Sequence, residues 1–318
     1  MKLGKIGERE IINILTGNST ERDDCYTLKI GKEFILLSTD LITRRTHLPH
    51  GTDPELAGKF FAAINLSDIA AMAGIPIGML ISLSVSPDYD IVYLEDFYRG
   101  AKAELAKFGA GILGGDTKEG EDFTVSGTVI GKQAFPLIRK RSYIAPGQMV
   151  MITNFLGKAG SGYIFYRYSD KKLYGIKKMM DIEPRIKEAQ IISKNGAKFM
   201  MDLSDGLYAS INQMKHDYGV GFKLLIDNIP VDMDVEEAVK ISGFSRDKIA
   251  FDFGGDYELL FTIDRDNYSN FMEAMRSSGI DASCIGETYD GENMSYDGDW
   301  KPIKDKGFEH FKDMPLNK

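Results

Sequence analysis

Apolar and polar positions follow two periods along this chain, and the changes of period mark its elements. Residues 26–30 and 33–38 alternate on either side of Gly31-Lys32, which predicts two strands joined by a tight turn. Over 53–74 the period becomes helical: Leu56, Phe60, Ala63, Ile64 and Ala71 recur near every 3.6 residues behind an Asp53-Pro54 start signal. A strand over 79–85, an amphipathic helix over 92–108 closed by Gly109, and strands over 111–113 and 123–131 follow. A short polar helix over 8–15 and a polar loop precede all of these.

The run Arg139-Lys-Arg-Ser-Tyr-Ile-Ala-Pro-Gly147 reads as a domain boundary, with a charge cluster closed by Pro-Gly. It divides the chain into residues 1–142 and 143–318. Beyond it the pattern predicts strands over 149–154, 199–203 and 259–263, helices over 157–168 and 184–195, and a helix of which 210–217 is a part. Strands and helices mix throughout, so the fold class is α/β or α+β.

Composition narrows the function. The 318 residues carry 39 basic and 47 acidic side chains, a net charge of −8, which argues against a surface for nucleic acid or anionic membrane. Two cysteines, Cys25 and Cys284, are too few for a disulfide framework and fit a reducing setting. With no apolar run of membrane-spanning length and an early charged segment, the expectation is a soluble cytoplasmic protein.

The recurring chemical feature is an apolar element running into a small polar residue and then aspartate. It occurs at Ser38-Thr39-Asp40, Leu66-Ser67-Asp68, Gly114-Gly115-Asp116 and Asp202-Leu203-Ser204-Asp205, with Asp23-Asp24 and Gly254-Gly255-Asp256 as further instances. Any one of them reads as a helix cap or a turn. Several converging carboxylates would repel one another unless hard cations sat among them, and Mg²⁺ takes such oxygen ligands together with substrate phosphates. Asp68 is the sharpest instance, because it lies in a mostly apolar helix where a lone carboxylate needs a cation or donor.

Other motifs are weaker. Gly109-Ala-Gly111-Ile-Leu-Gly114 follows a helix and feeds a strand, the reverse of the dinucleotide-binding context, and no Gly-Lys-Ser/Thr tripeptide supplies a Walker loop. Gly157-Lys-Ala-Gly-Ser-Gly162 reads as a turn or as a helix start that holds an anion. The four histidines show no zinc spacing. His47 reads as a substrate contact or a solvated loop residue, and Arg141 as a phosphate clamp or part of a solvated charge run. Aspartate-rich loops without an evident nucleophile suggest Mg²⁺-dependent phosphoryl transfer, which needs positioning and charge neutralisation more than a covalent group.

Six segments in order, namely Arg22-Asp-Asp-Cys25, Leu37-Ser-Thr-Asp40, Asn65-Leu-Ser-Asp-Ile-Ala-Ala-Met-Ala-Gly74, Gly114-Gly-Asp-Thr117, Asp202-Leu-Ser-Asp-Gly-Leu207 and Gly254-Gly-Asp-Tyr-Glu-Leu-Leu-Phe261, resemble the thiamine-monophosphate kinase family. The likeness runs from about residue 5 to residue 311. That family belongs with aminoimidazole ribonucleotide synthetase, selenophosphate synthetase and a hydrogenase maturation factor. The resemblance implies two α/β domains, with the N-terminal domains of a homodimer sharing a β-barrel. It also implies transfer of the γ-phosphoryl group of ATP to thiamine monophosphate, with several Mg²⁺ ions bridging phosphates.

Carried onto this chain, the resemblance assigns Asp24, Ser38, Thr39, Asp40, Asp68, Asp116, Asp202 and Asp205 to Mg²⁺. It puts Tyr98, Gly115, Asp116, Arg141 and Ser204 on ATP, and His47, Gly255 and Phe308 on thiamine monophosphate. The chain departs from the family pattern at Arg22, where glycine is usual, and at Gly255, where an acidic residue is common; Asp256 or Glu258 is then the candidate replacement. The alternatives are another ATP-dependent enzyme of the superfamily, such as selenophosphate synthetase or the hydrogenase maturation factor, or a non-catalytic nucleotide or thiamine-diphosphate binder. An acidic divalent-cation buffer is a third class. Cys25 lies in the first acidic loop, unlike the expected selenophosphate synthetase nucleophile, and the chain ends Pro-Leu-Asn-Lys where the maturation factor would end in cysteine.

Overall fold

The computed structural model describes residues 3, 6–17 and 22–304. The first part of the chain forms α1 (Glu8–Thr16), β1 (Tyr26–Ile30), β2 (Glu33–Thr43), α2 (Pro54–Ala71), β3 (Ile75–Val85), α3 (Ile91–Ala106), β4 (Gly111–Glu119) and β5 (Thr124–Ala134). The remainder forms β6 (Met149–Thr153), α4 (Lys158–Tyr168), α5 (Lys172–Met180), α6 (Ile186–Lys194), β7 (Ala197–Asp202), α7 (Leu207–Tyr218) and β8 (Gly221–Leu225). It closes with α8 (Val235–Ser242), β9 (Leu259–Ile263), α9 (Tyr268–Ser277), β10 (Ala282–Tyr289), β11 (Met294–Tyr296) and β12 (Trp300–Pro302).

These strands make two sheets. The first has the order β1-β2-β5-β3-β4, with only β3 and β4 parallel. The second has the order β12-β11-β8-β10-β6-β9-β7, with only β8 and β11 parallel. The mixed two-sheet α/β architecture agrees with the fold class read from the sequence.

Helix α2 starts where Asp53 Oδ1 accepts from Leu56 N at 3.0 Å, ahead of Pro54 at its first position. Its apolar residues run nearly all round, so it is a buried helix. One face of the first sheet, with Leu36, Ile42, Met79, Val125 and Val129, packs into the same core as Phe61, Leu66 and Ile69 of α2. The other face leaves Leu41, Ile75, Ile77, Leu80 and Leu113 between 40% and 52% exposed, a broad apolar surface.

Two strands run further than the hydrophobic pattern suggests. β2 continues past Ser38 through Thr39 and Asp40 to Thr43, and β4 continues through Gly115 and Asp116 to Glu119. Eleven residues of β2 pair with β5 from Glu33↔Ala134 to Thr43↔Thr124, so a long partner overrides the weak strand preference of serine and aspartate. β3 likewise begins at Ile75, ahead of the expected start, with Pro76 opposite Gly131 and a register shift before Gly78. Helix α7 opens at Leu207, three residues before the helical residues read there.

Candidate active site

Three aspartates remote in sequence meet between the two sheets. Asp24 precedes β1, Asp68 lies in the last turn of α2, and Asp202 ends β7. One carboxylate oxygen of each lies within 4.8 Å of the others. Asp202 is buried, and the Asp24 side chain is 1% exposed.

Each carboxylate has a dedicated neighbour. Arg141 grips Asp24 with both arms of its guanidinium, Nε to Oδ2 at 3.0 Å and Nη2 to Oδ1 at 2.6 Å. Its backbone N–H reaches Asp23 Oδ1 at 2.6 Å. Ser38 Oγ donates to Asp68 Oδ2, and Ser67 Oγ donates to Asp202 Oδ2 at 2.6 Å. Asp40 stands beside them on β2, its backbone N–H on Asn65 Oδ1 at 3.3 Å, while Asn65 Nδ2 ties back to Phe61 O of α2 at 2.9 Å.

The electrostatics follow from crowding. Burial first, and then the charges of Asp40, Asp202 and Asp24, push the Asp68 carboxyl well above its usual range against the pull of the Ser38 hydrogen bond. Asp202 is pushed up to about 8 by burial and by Asp24, with Ser67 and Arg141 opposing. For Arg141, burial favours the neutral form, but its pairing with Asp24 more than reverses this and keeps it charged. Arg141 is therefore the cation paired with Asp24, while Asp68 and Asp202 are held by hydroxyls. The carboxylate oxygens and the Ser38 hydroxyl are hard donors, the set that Mg²⁺ prefers.

The other residues singled out from the sequence distribute as follows. Thr39 Oγ1 donates to Gly127 O at 2.8 Å within the sheet. Asp205 and exposed Ser204 lie in the short link between β7 and α7. Gly115 and Asp116 stand apart from the cluster. Asp40, Gly127, Ile81 and Gly115 form one cross-sheet row, so Gly115 sits three strands, roughly 14 Å, from Asp40. A Cβ at Gly115 would stand 1.8 Å from Ile81 O, so close strand packing alone demands glycine there. The Asp116 side chain is 64% exposed and pairs with Lys118 at 3.1 Å, which holds its carboxyl below the usual range.

Tyr98 is half-buried on α3, its ring edge-on to Phe97 at 6.1 Å. His47 sits in the turn after β2, where its Nδ1 accepts from Thr43 N at 3.3 Å and lies 2.7 Å from Thr46 Oγ1. Phe308 lies outside the described residues.

Gly255 takes a φ of +96°, which favours glycine, and its N–H reaches Ser204 O at 2.7 Å. This loop laces onto the chain that carries Asp202 and Asp205. Both candidate acidic replacements, Asp256 and Glu258, are engaged within the protein. Asp256 accepts from Gly157 N at 2.7 Å and Ala159 N at 2.9 Å, so the anion at the start of α4 is intramolecular. Glu258 receives both arms of Arg185 at 2.9 and 2.6 Å and the Thr153 hydroxyl at 2.6 Å.

Sequence reasoning passed over several contacts. Ser67 was legible only as part of its motif, and Arg185 carried no signal. Arg22 is engaged as well: it pairs with Asp217 at the end of α7 and reaches Asn13 Oδ1 of α1 at 3.2 Å, so it ties the first loop to the second sheet's layer.

Comparison with known proteins follows the same lines. The family models for the AIR synthase related protein match its N-terminal domain over residues 22–133 and its C-terminal domain over residues 146–298. The chain is 30% identical to the thiamine-monophosphate kinase of Pyrococcus horikoshii over 318 residues, covering 97% of each protein. It is similar to the solved structure described as AaThiL complexed with AMPPCP and TMP, with a TM-score of 0.85 and 26% identity over 98% of this chain and 99% of that one. The hydrogenase maturation protein HypE of E. coli shares the fold, with a TM-score of 0.70 at 16% identity over 93% of this chain and 97% of that one.

Proposed function

Because the chain belongs to the thiamine-monophosphate kinase family within the AIR synthase related proteins, we propose that it transfers the γ-phosphoryl group of ATP to thiamine monophosphate, giving thiamine diphosphate and ADP. The observation that carries this reading is the convergence of Asp24, Asp68 and Asp202 within 4.8 Å. The relative solved with AMPPCP and TMP supports the same pair of substrates.

In this reading residues 1–142 hold nucleotide and metal, and residues 143–318 complete the site. Asp24, Ser38, Thr39, Asp40, Asp68, Asp116, Asp202 and Asp205 are the proposed holders of Mg²⁺. Tyr98, Gly115, Asp116, Arg141 and Ser204 serve ATP, and His47, Gly255 and Phe308 serve thiamine monophosphate. Bound Mg²⁺ supplies positive charge between two polyanions. A phosphate monoester with a second pKa of ~6 is already anionic at neutral pH, so no general base is required. Arg141 holds Asp24 through Nε and Nη2, which leaves Nη1 as the arm for a phosphate oxygen. The Ser38 and Ser67 hydroxyls fix one oxygen each of Asp68 and Asp202, and so aim the other oxygens.

The exposed apolar face of the first sheet supports a homodimer through that face, with Leu41, Leu80 and Leu113 buried against the second copy. No described helix is long and apolar enough to cross a membrane, and both cysteines are free, which supports a cytoplasmic location.

The test is ADP formation from ATP and Mg²⁺ with thiamine monophosphate as acceptor and thiamine in parallel. Turnover that requires thiamine monophosphate and stops with EDTA is expected. Turnover with a different acceptor alone would overturn the assignment of substrate, and tight ATP binding without any turnover would overturn the assignment as an enzyme.

A further inference from the structure

Asn65 is a polar side chain in an apolar place. It lies in α2, where every residue from Phe60 to Ala71 except Asp68 is buried, and it is itself 0% exposed. Asparagine is a weak helix former, and an amide taken out of water is costly unless both of its ends are bonded. Both are bonded here. Nδ2 donates to Phe61 O one turn back at 2.9 Å, and Oδ1 accepts from the Asp40 N–H of β2 at 3.3 Å. The bond to Phe61 fixes which end of the amide faces the strand.

The strand side of this contact is shaped for it. Asp40 pairs with Gly127 of β5, and paired residues point their side chains to the same face of a sheet. That face looks onto α2, because Ser38, two positions before Asp40, donates to Asp68 Oδ2. A Cβ at Gly127 would stand 2.6, 2.7 and 2.8 Å from Oδ1, Nδ2 and Cγ of Asn65. The amide thus occupies the place of a side chain, directly beside that of Asp40. Gly127 has no left-handed φ, so room for Asn65 and not backbone freedom is what requires glycine there.

Asn65 and Asp68 are three residues apart and share one face of α2. Strand and helix are therefore joined at two adjacent points, Ser38 to Asp68 and Asp40 to Asn65. The first holds a cluster carboxylate by its side chain. The second holds the backbone from which the Asp40 carboxylate projects.

We propose that Asn65 is a positioning residue for the metal site: seated in the space that Gly127 leaves, its amide fixes β2 against α2 and sets how far the Asp40 carboxylate stands from Asp68. The inference rests on reading these aspartates as a Mg²⁺ site with Asp40 among its ligands. It goes beyond that reading by giving a role to Asn65 and Gly127, which are assigned to neither metal nor substrate.

Asn65→Ala, Gly127→Ala and the double variant test it, since none of them alters a proposed ligand. Mn²⁺ with a non-hydrolysable ATP analogue is titrated calorimetrically into wild type and each variant, and melting temperatures are recorded in parallel. Asn65→Ala is expected to bind Mn²⁺-nucleotide about tenfold more weakly, the equivalent of about one buried hydrogen bond. Gly127→Ala keeps Asn65 but displaces its amide, and is expected to lose a similar factor. The double variant binds no more weakly than Asn65→Ala alone, because the added methyl then has the vacated space to fill.

Unchanged Mn²⁺-nucleotide affinity in Asn65→Ala would overturn the proposal even if the melting temperature falls, because an amide that only packs the core moves only the latter. If Asn65→Ala does not fold, Gly127→Ala decides by the same criterion. Losses that multiply in the double variant would contradict the pairing of Asn65 with Gly127. Wild type that binds the nucleotide but no Mn²⁺ would instead sink the metal reading, and the inference with it.

Discussion

Asp202 and Asp116 sit in look-alike stretches of sequence, each where an apolar strand runs into small polar residues, yet the fold places them in opposite electrostatic settings. Asp202 is buried beside Asp24 and Asp68, and its carboxyl is pushed up to about 8. Asp116 is exposed on edge strand β4, and the Lys118 ammonium holds its carboxyl below the usual range. A buried carboxylate crowded by others is unfavourable in the bare protein and becomes favourable when a cation joins it. A solvated carboxylate with its own lysine gains little from either. The contrast separates a core cluster that is poised for a cation from an edge residue whose contribution depends on what approaches that edge.

The largest expected effect comes from Asp202→Asn. The variant loses about 10³-fold in kcat, the upper end of the range seen when a preorganised group is removed from a reaction centre. Its metal-free melting temperature is close to wild type near neutrality, because Asp202 is protonated there and asparagine is a neutral replacement of the same shape, and lies above wild type once the pH exceeds about 8. A lower melting temperature would show that the cluster is a stabilising network in its own right.

Arg141→Ala comes next. Stripping the guanidinium from a buried, doubly bonded pair leaves Asp24 without its main donor, while Asp23 keeps the backbone N–H of residue 141, and chemical denaturation is expected to show a loss of about 3–5 kcal/mol. Arg141→Lys recovers part of this stability but not the two-armed grip.

Asp116→Asn sharpens the comparison from the other side. Exposure and a single surface pair imply a melting temperature within about 1 °C of wild type, since such pairs contribute little. A fall in kcat of about 10²-fold is nevertheless expected if Asp116 joins the metal set. Near-normal turnover would confine that set to the core cluster.

The dependence on pH reads the same contrast without a substitution. Folded Asp202 keeps its proton up to about pH 8, whereas an unfolded aspartate loses it near ~4. Between those values the native state binds the extra proton, so the metal-free protein loses stability as pH rises across the window. Metal binding has the opposite sign. It requires the carboxylate, so Mn²⁺ affinity rises with pH until about pH 8, and binding near neutrality releases protons that calorimetry in two buffers detects.

Much of this was legible in the sequence where one face of an element is buried. Helix α3 and strand β5 carry regular apolar positions because each has an interior side, and α2 is apolar nearly all round because it is a buried helix. The part of β2 beyond Ser38 was not legible, because pairing with β5 and not hydrophobicity makes Thr39 and Asp40 extended. Strands β11 and β12, of three residues each, are too short to show any period, and α9 offers only Phe271 and Met275 as buried positions.

The candidate site divides in the same way. Asp24, Asp68 and Asp202 stand out as acids at the ends of apolar stretches, but only the tertiary fold brings their oxygens within 4.8 Å. Asp256 reads as another member of the series and instead caps α4, pushed up to about 7 by burial despite two backbone donors.

The most direct test of the central claim is anomalous diffraction from crystals soaked with Mn²⁺ and a non-hydrolysable ATP analogue. The expected result is a Mn²⁺ peak at roughly 2.0–2.3 Å from carboxylate oxygens of Asp24, Asp68 and Asp202, with nucleotide phosphate completing its shell. A nucleotide bound with no metal among those three aspartates would contradict it.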